Sequence, residues 1–188
     1  MKRTSINKFL FTAMASGLVM GLCCTSACKK SSTSPAKTLY DTLGSTTLVS
    51  DPSNPGTTIE KGRLGIRSVV DSTIFVIAAD SRINGHFTVL LTEVTGGNLT
   101  GFEALSKNLT DFFCVATGAK DFTYGGLSMV AAHNPATNPR MNGKADSSDF
   151  NAFVSDLVAG AQQCGLSTPV IGRVGDIVGT LEGQVVQQ

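Results

Sequence analysis

The spacing of apolar residues near the C-terminus constrains the fold of this chain more than any other feature. Between residues 168 and 186 they recur at the helical i, i+1, i+4, i+7 and i+8 spacing, at Val170, Ile171, Val174, Ile177, Val178, Leu181 and Val185. Such spacing places them on one face of an α-helix. Thr168 is a suitable N-cap, and Pro169 suits the first helical position. The segment predicts one amphipathic helix that covers a core.

A second helix is predicted over residues 147–165. Its apolar face consists of Phe150, Phe153, Val154 and Leu157. Asp146 and Asp149 form a plausible capping pair at its start, and Gly165 is a C-terminal stop signal. Residues 103–118 carry a third apolar stripe, at Leu105, Leu109, Phe112 and Phe113.

The segment 66–80 is rich in β-branched residues, which favour a strand. It is nevertheless long for a strand, and its apolar residues are helically spaced, so it predicts a fourth helix. Loops rich in Gly, Pro and Asn separate the helices at 49–58, 94–101 and 134–146. No segment alternates regularly enough to require a sheet, and the predicted fold class is all-α.

The N-terminus has the features of an export signal. Lys2, Arg3 and Lys8 precede an apolar run from residue 9 to residue 24. That run is shorter than the ~20 residues that a membrane-spanning helix needs. Small residues and a Lys/Ser/Pro-rich stretch follow it, as expected for a cleaved signal peptide.

A cysteine directly after small residues resembles a bacterial lipoprotein signal, in which the cysteine becomes the acylated N-terminus. Cys28 is the first candidate for lipidation, with Cys24 and Cys23 as alternatives; simple secretion or an uncleaved anchor also stays open. The predicted organisation is a signal peptide over 1–27, a flexible tether over 28–38 and one domain over 39–188. The predicted location is the bacterial cell envelope, exported and lipid-anchored to a membrane.

Charge and cysteine content exclude several classes of function. Lys and Arg number 15 against 14 Asp and Glu, which leaves no basic stripe for nucleic acid. Two cysteines, Cys114 and Cys164, remain in the mature body, and the sequence leaves open whether they pair. Their spacing fits no zinc site. No Cys-x-x-Cys-His motif is present, which excludes covalent attachment of a c-type haem.

Four segments, taken in order, resemble the truncated haemoglobins, most closely the group I type. They are 39-LYDTLGST-46, 79-ADSRINGHF-87, 122-FTYGGLSMVAAH-133 and 149-DFNAFVSDLV-158. The third is the most specific, because it fixes a Tyr, a Gly, a Met and a His together. The resemblance implies a 2-over-2 helical sandwich from residue 39 to the C-terminus, with insertions at about 47–62, 88–100 and 134–145.

The resemblance also implies a site for non-covalent haem b. His133 is then the proximal ligand of the iron, on a helix end one turn beyond Met129. The implied pocket is an apolar slot lined by Ile74, Phe87, Leu105, Leu109, Phe113, Tyr124, Met129, Phe150 and Phe153. Its distal side departs from the family pattern, because Ile74, Leu105 and Leu109 occupy positions where polar groups are usual.

Without those distal donors, O₂ should be released fast and the haem iron should autoxidise readily. The binding of CO and NO should be weakened little. His86 is a possible distal donor or sixth ligand, or else a solvent-facing corner residue. No nucleophile–base pair, carboxylate pair or phosphate loop is visible, so the pattern favours oxygen or other gas binding over catalysis.

The function predicted from the sequence is a membrane-tethered globin that binds a diatomic ligand (O₂, NO or CO) reversibly at iron. Two alternatives stay open. One is a haem redox enzyme that removes NO or peroxide with a reductase partner, and the other is a haem-free globin-fold structural or binding lipoprotein.

Overall fold

The computed structural model describes residues 36–187, so the predicted signal peptide, Cys28 and most of the tether lie outside the described residues. The helices are α1 (Leu39–Leu43), α2 (Lys61–Ala79), α3 (Thr88–Thr95), α4 (Thr100–Ala116), α5 (Met129–Ala132), α6 (Ser147–Gln163), α7 (Thr168–Gly179) and α8 (Glu182–Val185). A short 3-10 helix, Asn84–Phe87, precedes α3. Two short strands, β1 (Leu48–Ser50) and β2 (Thr58–Glu60), lie between α1 and α2.

The long helix α2 is central to the fold, because it packs against both α4 and α6. With α7 packed on α6, the α2/α4 pair and the α6/α7 pair form the two layers of the predicted helical sandwich. The prediction of a helix over 66–80 is confirmed. Its β-branched residues Val69, Val70 and Ile74 are buried together on one face, and this tertiary packing outweighs their preference for strands.

Helix α6 begins at the residue that the sequence predicts, Ser147. The Asp146 carboxylate accepts hydrogen bonds from the backbone N–H groups of Ser148 and Asp149, and the Asp149 carboxylate accepts one from the Asp146 N–H. This reciprocal capping box confirms the predicted capping pair. Gly165 follows the helix with φ +75°, as a left-handed C-terminal stop requires.

The prediction of one continuous helix over 168–186 is wrong. Ser167, rather than Thr168, is the N-cap of α7, and the helix ends at Gly179. Thr180 N–H and Oγ1 both donate to the Ile177 carbonyl, and Leu181 N–H donates to the Val178 carbonyl. These i to i−3 bonds tighten the last turn and separate α7 from α8.

The expectation that no sheet is needed also requires a correction, because the insertion at 47–62 forms a small antiparallel hairpin. Val49 lies opposite Ile59 in its register. Asp51 orders the connecting loop, with its carboxylate accepting from the Ser53 N–H and the Asn54 side chain, both at 2.9 Å. Arg67 of α2 donates to Asp51 Oδ1 at 2.7 Å and so fastens the hairpin to the helical layers.

Among the described residues, no single helix is long and apolar enough to cross a membrane. Helix α2 and the segment Asn84–Thr95 are together long and apolar enough to do so, but the two are bent by 108° relative to one another.

Candidate functional site

Residues 122–128 form a turn directly before α5. The Tyr124 hydroxyl donates to the Leu127 carbonyl at 2.6 Å, so its ring folds back over the intervening backbone. A Cβ at Gly126 would lie 2.5 Å from the Tyr124 hydroxyl oxygen. A side chain at position 126 would therefore displace the Tyr124 ring from this position, which is consistent with the Tyr-x-Gly spacing of the motif. Partial burial raises the pKa of Tyr124 and favours its neutral, hydrogen-bonding form.

His133 lies at the end of this unit, as the C-cap of α5. Ser128 caps the start of the helix by accepting from the Ala131 N–H. At the other end, Nδ1 of His133 is 2.8 Å from the Met129 carbonyl oxygen. A carbonyl oxygen only accepts, so Nδ1 is the donor, and in the neutral imidazole Nε2 keeps a free lone pair. The side chain is half-buried and its Nε2 has no hydrogen-bond partner in the described part of the chain, so it is suited to bind a metal.

The corner between α2 and α3 carries Phe87 and His86 in the 3-10 helix. Phe87 is half-buried and packs against both hydrophobic clusters of the core. His86 makes two contacts away from that core. Its Nδ1 is 2.7 Å from the Asn142 carbonyl oxygen, and its Nε2 is 3.1 Å from Asp149 Oδ2.

An apolar wall is formed where α2, α4 and α6 meet. Four of the predicted pocket residues line one small cavity there: Ile74, Leu109, Phe113 and Phe153. Thr73 also lines it, but its hydroxyl donates to the Val69 carbonyl of its own helix at 2.8 Å. The cavity therefore presents no free donor from Thr73, and the lining is apolar in effect.

The remaining predicted pocket residues divide into two groups. Leu105 is half-buried against the main core cluster, and Phe150 is a fully buried member of it. Tyr124 and Met129 lie in the α5 region, where Tyr124 packs edge-on against Phe112, with ring centroids 5.7 Å apart. Phe112 thus links the segment before α5 to α4.

The sequence did not identify Thr73, which lines this cavity, or Thr110, which is buried on α4 and is not among the lining residues. Thr110 is 1% exposed, and its hydroxyl oxygen has no hydrogen-bond partner in the described part of the chain. The helical spacing of Ser106, Thr110 and Phe113 was the available signal, because it places all three on the buried face of α4.

The polar residues between α2 and α4 are paired with one another. The Arg63 guanidinium lies 2.7 Å from Asp111 Oδ1, and Lys107 Nζ lies 2.6 Å from Asp111 Oδ2. Burial opposes ionisation of Asp111, but the hydrogen bonds from Lys107 and Arg63 outweigh it and lower the pKa of the carboxyl. Within residues 36–187, no group of three His, Cys, Asp or Glu side chains could hold a metal ion. A metal ion bound to His133 would therefore need its other ligands from a cofactor and not from these side chains.

The chain was compared with known proteins. No family model matches it, and no curated protein sequence does. Solved structures do match. The truncated hemoglobin from Tetrahymena pyriformis, in three mutant Fe(III) forms, has 18% sequence identity and a TM-score of 0.57, and the match covers 81% of this chain and 100% of that chain. The 2/2 hemoglobin from Synechococcus sp. PCC 7002, with covalently attached heme, has 23% identity, a TM-score of 0.56 and the same coverage.

The fold of this chain is therefore that of the truncated, or 2/2, hemoglobins. The similarity confirms the predicted fold class and its helical sandwich. At these identities the similarity establishes the fold alone.

Proposed function

We propose that this chain is a haem protein that binds a diatomic gas reversibly, with His133 as the proximal ligand of the iron. The observation that carries the proposal is the hydrogen bond from His133 Nδ1 to the Met129 carbonyl. It fixes both the tautomer and the ring angle, and it leaves Nε2 as the ligand atom, as metal-binding histidines require.

The imidazole of His133 and the half-buried apolar side chains of α4, α6 and the Phe87 corner fit the chemistry of a haem. Haem is a flat, mostly apolar disc, and its iron takes a neutral imidazole on one face. Phe87, Leu105, Leu109 and Phe153 are large apolar side chains that the core leaves half-buried, so they can cover such a disc. When bound, haem supplies an iron atom with an open coordination position for a diatomic ligand.

The distal residues determine which ligand is held well. Bound O₂ carries partial negative charge, and one good hydrogen-bond donor stabilises it by about 1–3 kcal/mol. Ile74 and Leu109 supply none, and the Thr73 hydroxyl is bonded to its own helix. We therefore expect rapid O₂ release and ready autoxidation, with less effect on CO or NO.

The sequence contains no Cys-x-x-Cys-His motif for covalent attachment of a c-type haem, which supports non-covalent haem b. The sequence of the N-terminus supports export and a tether through Cys28. The haem redox alternative depends on a polar distal group and a reductase. His86 was the one candidate for that group, and its two ring nitrogens contact Asn142 and Asp149. Those contacts favour gas binding over redox catalysis.

Absorption spectroscopy tests the proposal. We expect the full-length chain, produced with haem supplied, to show a Soret band and a ferrous-CO complex, and we expect His133→Ala to lose the band or bind haem weakly. His86→Ala is the matched control, since it removes the only other histidine of the sequence, and its spectrum should equal that of the parent. Absence of haem uptake by the parent would leave the haem-free globin alternative. A changed ferrous spectrum in His86→Ala would instead place His86 at the iron.

A further inference from the structure

Residues 134–145, here called the strap, follow His133 directly and end at α6. The first part of the strap folds back onto α5. Thr137 Oγ1 donates to the Ala131 carbonyl, and Asn138 Nδ2 donates to the Ala132 carbonyl, both at 2.7 Å. The strap is thus tied to the single helical turn that presents His133.

The last part of the strap is tied to the corner that carries Phe87. Asn142 donates from its backbone N–H to the His86 carbonyl and from its side chain to the Gly85 carbonyl, both at 3.0 Å. In return, His86 Nδ1 contacts the Asn142 carbonyl at 2.7 Å, while His86 Nε2 contacts Asp149 at the start of α6. Four polar contacts therefore join the strap, the corner and α6.

Between these two attachments, Arg140 forms a two-pronged ion pair with Glu93 of α3. Arg140 Nη1 donates to Glu93 Oε1 at 3.0 Å, and Nη2 donates to Oε2. The pair lies directly on Gly101 in the first turn of α4, where a Cβ would be 2.1 Å from both Arg140 Nη2 and Glu93 Oε2. The glycine thus leaves the space that the ion pair fills.

We propose that the strap retains haem, with Arg140 and His86 as positioning residues that fasten it. This inference rests on the proposed function. The strap connects the turn of the proposed iron ligand to the Phe87 corner, to α3 and to the start of α4. Haem leaves a globin only when its iron–histidine bond breaks and the pocket walls separate. A strap fastened across these elements opposes that separation, so loss of a fastening contact speeds haem release without changing the iron ligand.

Transfer of haem from the ferric full-length protein to an excess of a haem-scavenging apoprotein measures this release. Arg140→Ala and Glu93→Ala should each accelerate it by about three- to tenfold, the range for a partly exposed two-pronged ion pair. Their ferrous-CO spectra should match that of the parent. The exchanged pair Glu93→Arg with Arg140→Glu should recover most of the slow release, since it restores opposite charges at the same two positions.

Gly101→Ala provides a second variant, because its Cβ displaces the ion pair while Arg140 and Glu93 are both retained. Alanine also favours the helix by up to about 1 kcal/mol, and the denaturant midpoint of this variant, followed by circular dichroism, shows whether the added Cβ weakens the fold. Arg67→Ala is the matched control, because it also removes an ion pair. That pair, between Arg67 and Asp51, lies on the hairpin and not on the strap. Its release rate should change by less than about twofold.

The outcomes separate the two proposals. A parent protein without a Soret band overturns the proposed function and the strap's role together. A parent that holds haem, with release rates equal in the parent, Arg140→Ala and Gly101→Ala, overturns the role of the strap alone. Equal acceleration in Arg67→Ala and Arg140→Ala, in proportion to lost stability measured by circular dichroism, also overturns it, because general loosening would then explain the release.

Discussion

Asp156 is a buried carboxylate in the middle of α6, with 4% of its surface exposed. One of its oxygens, Oδ2, has no hydrogen-bond partner among residues 36–187. The other lies 3.5 Å from Arg82, whose guanidinium makes a closer contact of 2.6 Å with Asp80. Burial, followed by the neighbouring Asp80 charge, raises the pKa of Asp156. The pKa of Asp80 is shifted in the other direction, because the hydrogen bonds from Arg82 lower it to about 2.

A raised carboxyl pKa means that the folded chain holds this proton more tightly than the unfolded chain does. The associated stability is complete below the unfolded pKa, near 4, and is lost as pH rises through the higher folded pKa. Asp156→Asn removes the charge, so we expect its free energy of unfolding at about pH 7 to exceed that of the parent by about 1 kcal/mol. The gain should shrink toward pH 4 in chemical denaturation. Asp176→Asn, at an exposed position of α7, is the control. An equal gain at both pH values would contradict the assignment.

His133 shows how far sequence reasoning reaches for single residues. The Tyr-x-Gly-x-x-Met-x-x-x-His spacing sufficed to select it as the candidate ligand, and the i to i−4 contact with Met129 that fixes its tautomer is local. The contacts of His86 could not be predicted in the same way. Its partner Asn142 is 56 residues away, and their meeting depends on the path of the whole strap.

Among the helices, the crossing of α2 over α6 depends on one glycine. A Cβ at Gly160 would lie 2.8 Å from the backbone nitrogen of Thr73 and 2.9 Å from its Cα. Because backbone atoms cannot move aside as a side chain can, α6 approaches α2 this closely only with glycine at position 160. The same crossing holds Ile74 and Phe153 around the cavity described above.

We expect Gly160→Ala to destabilise the fold by about 1–3 kcal/mol, the usual cost of overpacking, although alanine by itself favours a helix. Gly172→Ala on α7 is the matched control, since a Cβ there meets nothing within 4 Å, and it should stabilise by up to about 1 kcal/mol. Denaturant midpoints of the two variants measure both effects. Similar stabilisation by the two substitutions would show that the helices do not cross at this distance.

The helices were the elements that the sequence predicted best, because their apolar periodicity is a local property. Both α4 and α6 begin or end within about three residues of the predicted bounds. The break after Gly179 was missed because the apolar spacing continues through it to Val185. The hairpin was missed because strands of three residues are too short for alternation to be recognised, and the long-range Arg67–Asp51 contact fixes it.

At the scale of the whole molecule, the two cysteines of the domain report on different parts of the fold. Cys114 is fully buried on α4, within the core cluster that joins all four main helices, whereas Cys164 is exposed at the end of α6. Neither forms a disulfide within residues 36–187, so the pairing that the sequence left open is not formed between them. Burial raises the pKa of the Cys114 thiol to about 11, against the weaker opposing effect of Arg63. Cys114 is therefore un-ionised as well as inaccessible in the folded chain.

Because alkylation requires an accessible thiolate, we expect iodoacetamide at about pH 8 to modify Cys164 in the native protein and to leave Cys114 unmodified. Modification of Cys114 should begin only as denaturant unfolds the core, and its midpoint should coincide with loss of helical circular dichroism, as for a cooperative single domain. Mass spectrometry of the two tryptic peptides distinguishes the sites and excludes the N-terminal cysteines. Modification of Cys114 well below the unfolding midpoint would mean that α2 and α4 separate while the rest of the sandwich stays folded.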